Sequence, residues 1–189
     1  MKSDSSPDSL LLRRENCKKL HRQHTLWRWL FSTVLAALFM FFVCFVWFDW
    51  AKIGNDSMAP TLKQGDLVLV DRIYKYCYEI ERTDMVVYRR PGTGELLIKR
   101  VVATGGETIS SQSGALWIDE KYRLNEDEYK PANTVDFDAV TVPKGYVFVL
   151  SDDRQYLEDS REEDIGCVAL DDIIGVMHVR LLPSFQIYQ

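Results

Sequence analysis

Trp29 to Phe48 is a run of twenty residues without a charged side chain. At about 1.5 Å per residue a helix of that length spans roughly 30 Å, the thickness of a bilayer's hydrocarbon core. Trp27, Trp29, Trp47 and Trp50 lie near its ends, and tryptophan favours the headgroup region. The run predicts a transmembrane helix over residues 29–48. A buried core helix and a cleavable signal peptide are the alternatives. The second is disfavoured because the run is long and no small-x-small site follows it. Residues 1–28 then form a polar, poorly ordered tail, or from Leu20 onward an extension of the helix. Residues 49–189 form one modest domain beyond the span.

Charge sets the expected orientation. Residues 1–48 carry seven Lys/Arg against three acids, and the remainder carries 16 against 25. Basic residues cluster before the span, so the positive-inside rule places the N-terminus in the cytoplasm and the main domain outside. An acidic main domain also argues against nucleic-acid binding, which needs a basic footprint. Of the four cysteines, Cys17 falls in the tail and Cys44 in the span. Cys77 and Cys167 share the outer compartment, where a disulfide is permitted. Two separate thiols are expected, and no metal-ligand spacing links them.

Short apolar runs rich in β-branched residues fill the outer domain: 67–70, 85–88, 96–98, 101–102, 116–118 and 146–150. Turn signals separate them, at Gln64-Gly65-Asp66, Pro91-Gly92-Thr93-Gly94, Gly105-Gly106, Ser113-Gly114 and Pro143-Lys144-Gly145. The pattern predicts a mainly antiparallel β-domain with one or two short helices and a solvated acidic loop at Asn125–Glu128.

Two short motifs carry candidate chemistry. Ser57 precedes Met58-Ala59-Pro60-Thr61-Leu62, and Pro60 fixes the backbone just past the hydroxyl. Lys99 lies in the apolar stretch 96–102, where alternation puts Leu97, Lys99 and Val101 on one face and Arg100 on the other. If that face is buried, desolvation lowers the lysine pKa, and a neutral lysine can serve a hydroxyl nucleophile as base without histidine.

These motifs resemble those of bacterial type I signal peptidases. Ser57 to Leu62 is similar to the family's serine box, and Ile98-Lys99-Arg100-Val101 to its lysine box. Residues 65–70 and 84–88 resemble two core-strand boxes, and Leu116 to Lys121 the hairpin beyond them. Ser151-Asp152-Asp153-Arg154, followed by Asp159-Ser160-Arg161 and Ile165-Gly166, resembles the last box. The likeness runs in the family's order from about Ile53 to Val176. It implies a membrane-bound serine endopeptidase that removes signal peptides from exported preproteins after small-x-small sites. Ser57 would be the nucleophile and Lys99 the general base, with no cofactor or metal. The Ser57 N–H and the Asn55 side chain would form the oxyanion hole. Met58, Leu62 and Ile98 would line a shallow apolar pocket that accepts alanine. Asp159, Ser160 and Arg161 would support the site, with Asp159 and Arg161 ion-paired. The implied partners are preprotein signal peptides, the lipid bilayer and a nearby protein-export machinery.

Two positions depart from the family pattern. Leu157 stands where a Ser or Thr usually holds the lysine amine, which leaves Ser160, Ser151 or water for that task. Ser151-Asp152-Asp153-Arg154 replaces the usual Gly-Asp-Asn-Arg. The rival readings are a catalytically impaired relative that assembles surface proteins, a self-cleaving repressor-type protease and a non-catalytic membrane adaptor. The retained Ser57 and Lys99 weigh against the first and third, and the span with its acidic domain against the second.

Overall fold

The structure, a computed structural model, describes residues 7–120, 122–123 and 134–188. The expected loop at Asn125–Glu128 lies outside the described residues. The chain divides into two units, 1–46 and 47–189.

The first unit is helical. Helix α1 runs from Pro7 to Trp47. It starts well ahead of the expected Trp29, so the segment read as a poorly ordered tail is helical from Pro7 onward. Proline suits a first helical position, and the Leu, Arg, Lys and Glu residues that follow are good helix formers. Within α1, His24–Trp47 is long and apolar enough to cross a membrane, with mean hydropathy 2.4. The helix stops one residue earlier than expected, because Phe48 already belongs to a strand.

The second unit is built from antiparallel strands. In order they are β1 (Phe48–Lys52), β2 (Leu67–Asp71), β3 (Met85–Arg89), β4 (Leu96–Thr104), β5 (Thr108–Gln112), β6 (Ala115–Ile118), β7 (Tyr122–Arg123), β8 (Phe137–Thr141), β9 (Tyr146–Leu150), β10 (Val168–Ala169), β11 (Ile173–Leu182) and β12 (Gln186–Ile187). A single α-helical turn, α2 (Tyr74–Cys77), and a 3-10 turn at Leu170–Asp172 complete it. The larger sheet has the order β1-β2-β11-β3-β4-β9-β10, with β12 paired to β11; the smaller is β7-β6-β5-β8. Every run expected to be a strand is one, and the two runs at 96–98 and 101–102 join in β4. Strands β1, β5, β8 and β11, and the two-residue strands β7, β10 and β12, are additions to the expected set. The first three mix polar and apolar residues, as in Thr-Ile-Ser-Ser-Gln of β5, and β11 is interrupted by Gly175.

Two glycines illustrate different requirements. The β5–β6 hairpin turns on Ser113 and Gly114, both at positive φ (53° and 77°). That geometry matches the twist of the paired strands. Gly175 lets β11 approach β2 closely, since a Cβ there would collide with the Asp71 carbonyl oxygen and lie 2.8 Å from Val70 Cγ1.

Three apolar clusters hold the domain. One packs Val86, Leu97, Val101, Val149 and Val176. A second joins β4 and β9 to the smaller sheet through Val102, Phe148, Ile109 and Ile118. The third packs Met58 and Leu62 beneath Val68, Val70, Met85 and Val87. A bulge between Val101 and Ala103 breaks the alternation of β4, which lets one strand supply two different clusters.

Candidate active site

Lys99 sits in the middle of β4, directly opposite Val86 of β3. Leu97, Lys99 and Val101 are all buried, as alternation requires, and Lys99 is 0 % exposed. Burial is the main reason its pKa falls below the ordinary 10.5. Arg161 pushes the same way, while Asp159, Glu158 and Glu162 partly oppose the fall. The amine donates to Ser151 Oγ at 2.9 Å. A buried amine held by a neutral hydroxyl gives up its proton more readily than an exposed lysine does.

Ser57 lies in the turn that joins β1 to β2. The turn is closed by Ala59 N–H to Asp56 O (2.9 Å) and Leu62 N–H to Met58 O (2.8 Å). The Ser57 N–H donates to Asn55 Oδ1 at 3.2 Å. Among the described residues no hydrogen bond joins Ser57 Oγ to Lys99 Nζ. The two motifs are instead linked through residues 151–153, just after β9. Ser151 Oγ holds Lys99, and Asp153 N–H donates to the Ser57 carbonyl at 3.0 Å. Between them, Asp152 accepts from Arg100 Nε and Nη2, both at 2.7 Å, and from Thr61 Oγ1 at 2.6 Å. Three consecutive residues thus tie the serine turn to the lysine strand.

Asp159 and Arg161 form the expected ion pair. Arg161 Nε lies 2.8 Å from Asp159 Oδ1, and Arg161 Nη2 lies 2.7 Å from Oδ2. Their side chains are 0 % and 5 % exposed. Asp159 Oδ2 also accepts the Ser151 N–H at 2.9 Å, so the pair fixes the backbone that carries the hydroxyl. Ser160 plays a different part: its Oγ accepts Val149 N–H at 2.9 Å, stitching the segment to β9. Arg154, nearly buried, is lowered to about 10 by burial and donates to Thr134 Oγ1 at 2.8 Å.

A cleft of about 480 Å³ opens over the serine turn, with Ser57, Asn55, Met58 and Ile98 among its walls. Leu62 is not in that wall; it is fully buried in the cluster beneath. Of the three residues expected to line a pocket, two do so and one packs below them. The fastening by Arg100, Thr61 and Asp152 was not anticipated. The sequence signal was there, since Asp152 lies in the last box and Arg100 adjoins Lys99, but charge alone does not reveal a buried partner. Leu157 is 48 % exposed. Cys77 and Cys167 are free thiols.

The fold thus brings a hydroxyl in a cleft and a desolvated amine onto one fastened framework, with a chain anchor ahead of them. The family described as "Signal peptidase, peptidase S26" matches residues 26–182. Signal peptidase I U of Bacillus subtilis (strain 168) is 30% identical over 167 residues, covering 84% of this chain and 88% of that protein. Probable signal peptidase I-1 of Synechocystis is 32% identical over 166 residues, covering 81% and 79%. A relative from Staphylococcus aureus (strain COL), named inactive signal peptidase IA, is 28% identical over 163 residues, covering 82% and 91%. With a span-length apolar helix ahead of an antiparallel β-domain, and a family match over most of its length, the chain belongs to the peptidase S26 signal peptidases, a family of serine peptidases.

Proposed function

We propose that this signal peptidase cuts N-terminal signal peptides from exported preproteins after small-x-small sites, with Ser57 as nucleophile and Lys99 as general base. The observation that carries the reading is the fully buried Lys99 amine, bonded to a hydroxyl instead of a carboxylate. In that setting the neutral amine takes the Ser57 proton as Oγ attacks the scissile carbonyl. The resulting ammonium protonates the leaving amine, and Lys99 then activates the water that hydrolyses the acyl-enzyme. The Ser57 N–H and the Asn55 amide stabilise the developing oxyanion. Met58 and Ile98 form the apolar wall against which a small side chain fits.

The anchor sets where this happens. Residues 1–28 lie in the cytoplasm, α1 crosses the membrane once, and the β-domain works on the far side beside the export machinery. The basic flank ahead of the span supports this orientation. Protease added to intact cells with an accessible outer face should digest the β-domain and spare the tail.

A second reading, a catalytically impaired assembly factor, draws on two observations: Ser57 Oγ and Lys99 Nζ are not hydrogen-bonded, and similar proteins from two Staphylococcus aureus strains are named inactive. Catalytic hydrogen bonds often tighten only around substrate, so the first does not weigh heavily. The deciding experiment assays the full-length protein in detergent on a peptide with an Ala-x-Ala site. Cleavage that vanishes in Ser57→Ala and in Lys99→Ala supports the peptidase. An inert wild-type protein, or a variant with near-normal turnover, rejects the dyad.

A further inference from the structure

We propose that Ser151 is the positioning residue of Lys99, its hydroxyl holding the amine in the orientation from which it accepts a proton. The proposal rests on the reading of Lys99 as base and extends it to the group that aims the base. Both side chains are 0 % exposed, and Ser151 Oγ lies 2.9 Å from Lys99 Nζ. No other hydrogen bond reaches that amine among the described residues.

Neither of the other two side chains considered for this task bonds the amine. Ser160 Oγ is engaged by Val149 N–H. Leu157 has no hydroxyl and is half-exposed. The two departures from the family pattern are therefore one exchange: a hydroxyl missing at Leu157 is supplied at Ser151, where the family usually has glycine. The new hydroxyl stands on firm backbone. Its own N–H is held by Asp159 Oδ2 at 2.9 Å, and Asp159 is clamped by Arg161.

A hydroxyl suits this task better than a carboxylate would. An adjacent carboxylate favours the ammonium form, whereas a hydroxyl orients the amine and leaves it able to lose its proton. The charged groups acting on Lys99 are Asp159, Glu158 and Glu162, which favour the ammonium, and Arg161, which opposes it. From β3 the nearest titratable group on this face is Tyr88, whose phenol burial keeps protonated.

The test uses the full-length protein in detergent and an Ala-x-Ala peptide, reading kcat, KM and the pH–rate profile of Ser151→Ala, Ser151→Thr and Lys99→Met. Removing one hydrogen bond should lower kcat of Ser151→Ala about two- to tenfold with little change in KM. The acidic limb should move to lower pH, because the ammonium has lost an acceptor. Ser151→Thr should restore both. Wild-type kcat and an unmoved limb in folded Ser151→Ala overturn the proposal. If Ser151→Ala does not fold, Ser151→Cys takes its place, since a thiol is a weak acceptor; a wild-type profile there overturns it equally. Activity in Lys99→Met would remove the base itself and this proposal with it. Inactive Lys99→Met beside unaltered Ser151→Ala would remove Ser151 alone.

Discussion

Arg100 and Asp152 meet in a two-point ion pair, 2.7 Å at each contact, one residue along from Lys99 and Ser151 on the same two backbone segments. Successive strand side chains face opposite ways. The lysine strand and the 151–152 segment are consequently fastened on both faces, by a neutral contact on one and a charged contact on the other. The charged contact also reaches Thr61 of the serine turn. Its expected role is to fix the distance between the two motifs while staying out of the chemistry.

Asp152→Ala should therefore both destabilise the domain and slow cleavage. It strips the acceptor from Thr61 and leaves Arg100, 13 % exposed, without this carboxylate. Breaking a buried pair costs about 3–5 kcal/mol, and the partial exposure of Arg100 favours the lower end. At roughly 2–4 °C per kcal/mol the melting temperature should fall by about 6 °C or more. Thermal unfolding in detergent checks this. A shift under about 2 °C would mean that solvent already screens the pair.

The Lys99 pKa, lowered chiefly by burial, fixes the sign of two pH effects. A general base works deprotonated, so cleavage should rise as pH climbs through the lowered pKa, below 10.5. Stability should rise in the same direction. Between the folded-state pKa and 10.5 the unfolded chain holds a proton that the folded chain has lost, so the unfolded state binds more protons and unfolding becomes harder as pH increases. Below the folded-state pKa the buried ammonium must be carried, and the penalty is complete. Lys99→Met should accordingly be folded, inactive and more stable than wild type at low pH, the gap narrowing toward pH 10. A gap independent of pH would show that Lys99 titrates as an exposed lysine does.

Leu157→Ser is expected to leave the pH–rate profile unchanged. The leucine is half-exposed while the amine is fully buried and already bonded to Ser151. Adding a hydroxyl at 157 supplies a group whose task is done. A faster enzyme, or a limb displaced by half a unit or more, would show that the Ser151 contact is weak and that the amine can be captured from the other side.

The outline of the fold was legible because β-branched runs and glycine turns are local signals. Leu67–Val70 and Tyr146–Leu150 each read as strands in isolation, and each lies in one. What escaped were strands whose identity depends on partners. β5 is polar in sequence and becomes a strand through pairing with β6 and β8. β11 is split by Gly175, which only the approach of β2 explains. At the site, alternation put Lys99 on one face with Leu97 and Val101, and the structure shows that this face is the buried one. The choice between Ser151 and Ser160 needed coordinates, because two serines of one segment differ only in where the backbone aims them. Leu62 illustrates the reverse. Pocket wall and core are indistinguishable for a leucine in a turn, and packing put it in the core.

Asn55 gives the sharpest remaining test. In the structure its side-chain oxygen accepts the Ser57 N–H at 3.2 Å, which is the donor the oxyanion would need. Substrate must therefore displace that bond, and the amide can follow by presenting its NH2 to the same oxyanion. If it does, Asn55→Ala removes a transition-state donor, and kcat should fall about 10²- to 10³-fold with KM nearly constant. Asn55→Asp keeps the acceptor, loses the donor and adds a negative charge beside the developing oxyanion, so its loss should be at least as large. Steady-state kinetics on the same peptide separates the outcomes. Should Asn55→Ala keep kcat within about twofold of wild type, the asparagine merely shapes the turn, and the second oxyanion donor lies elsewhere.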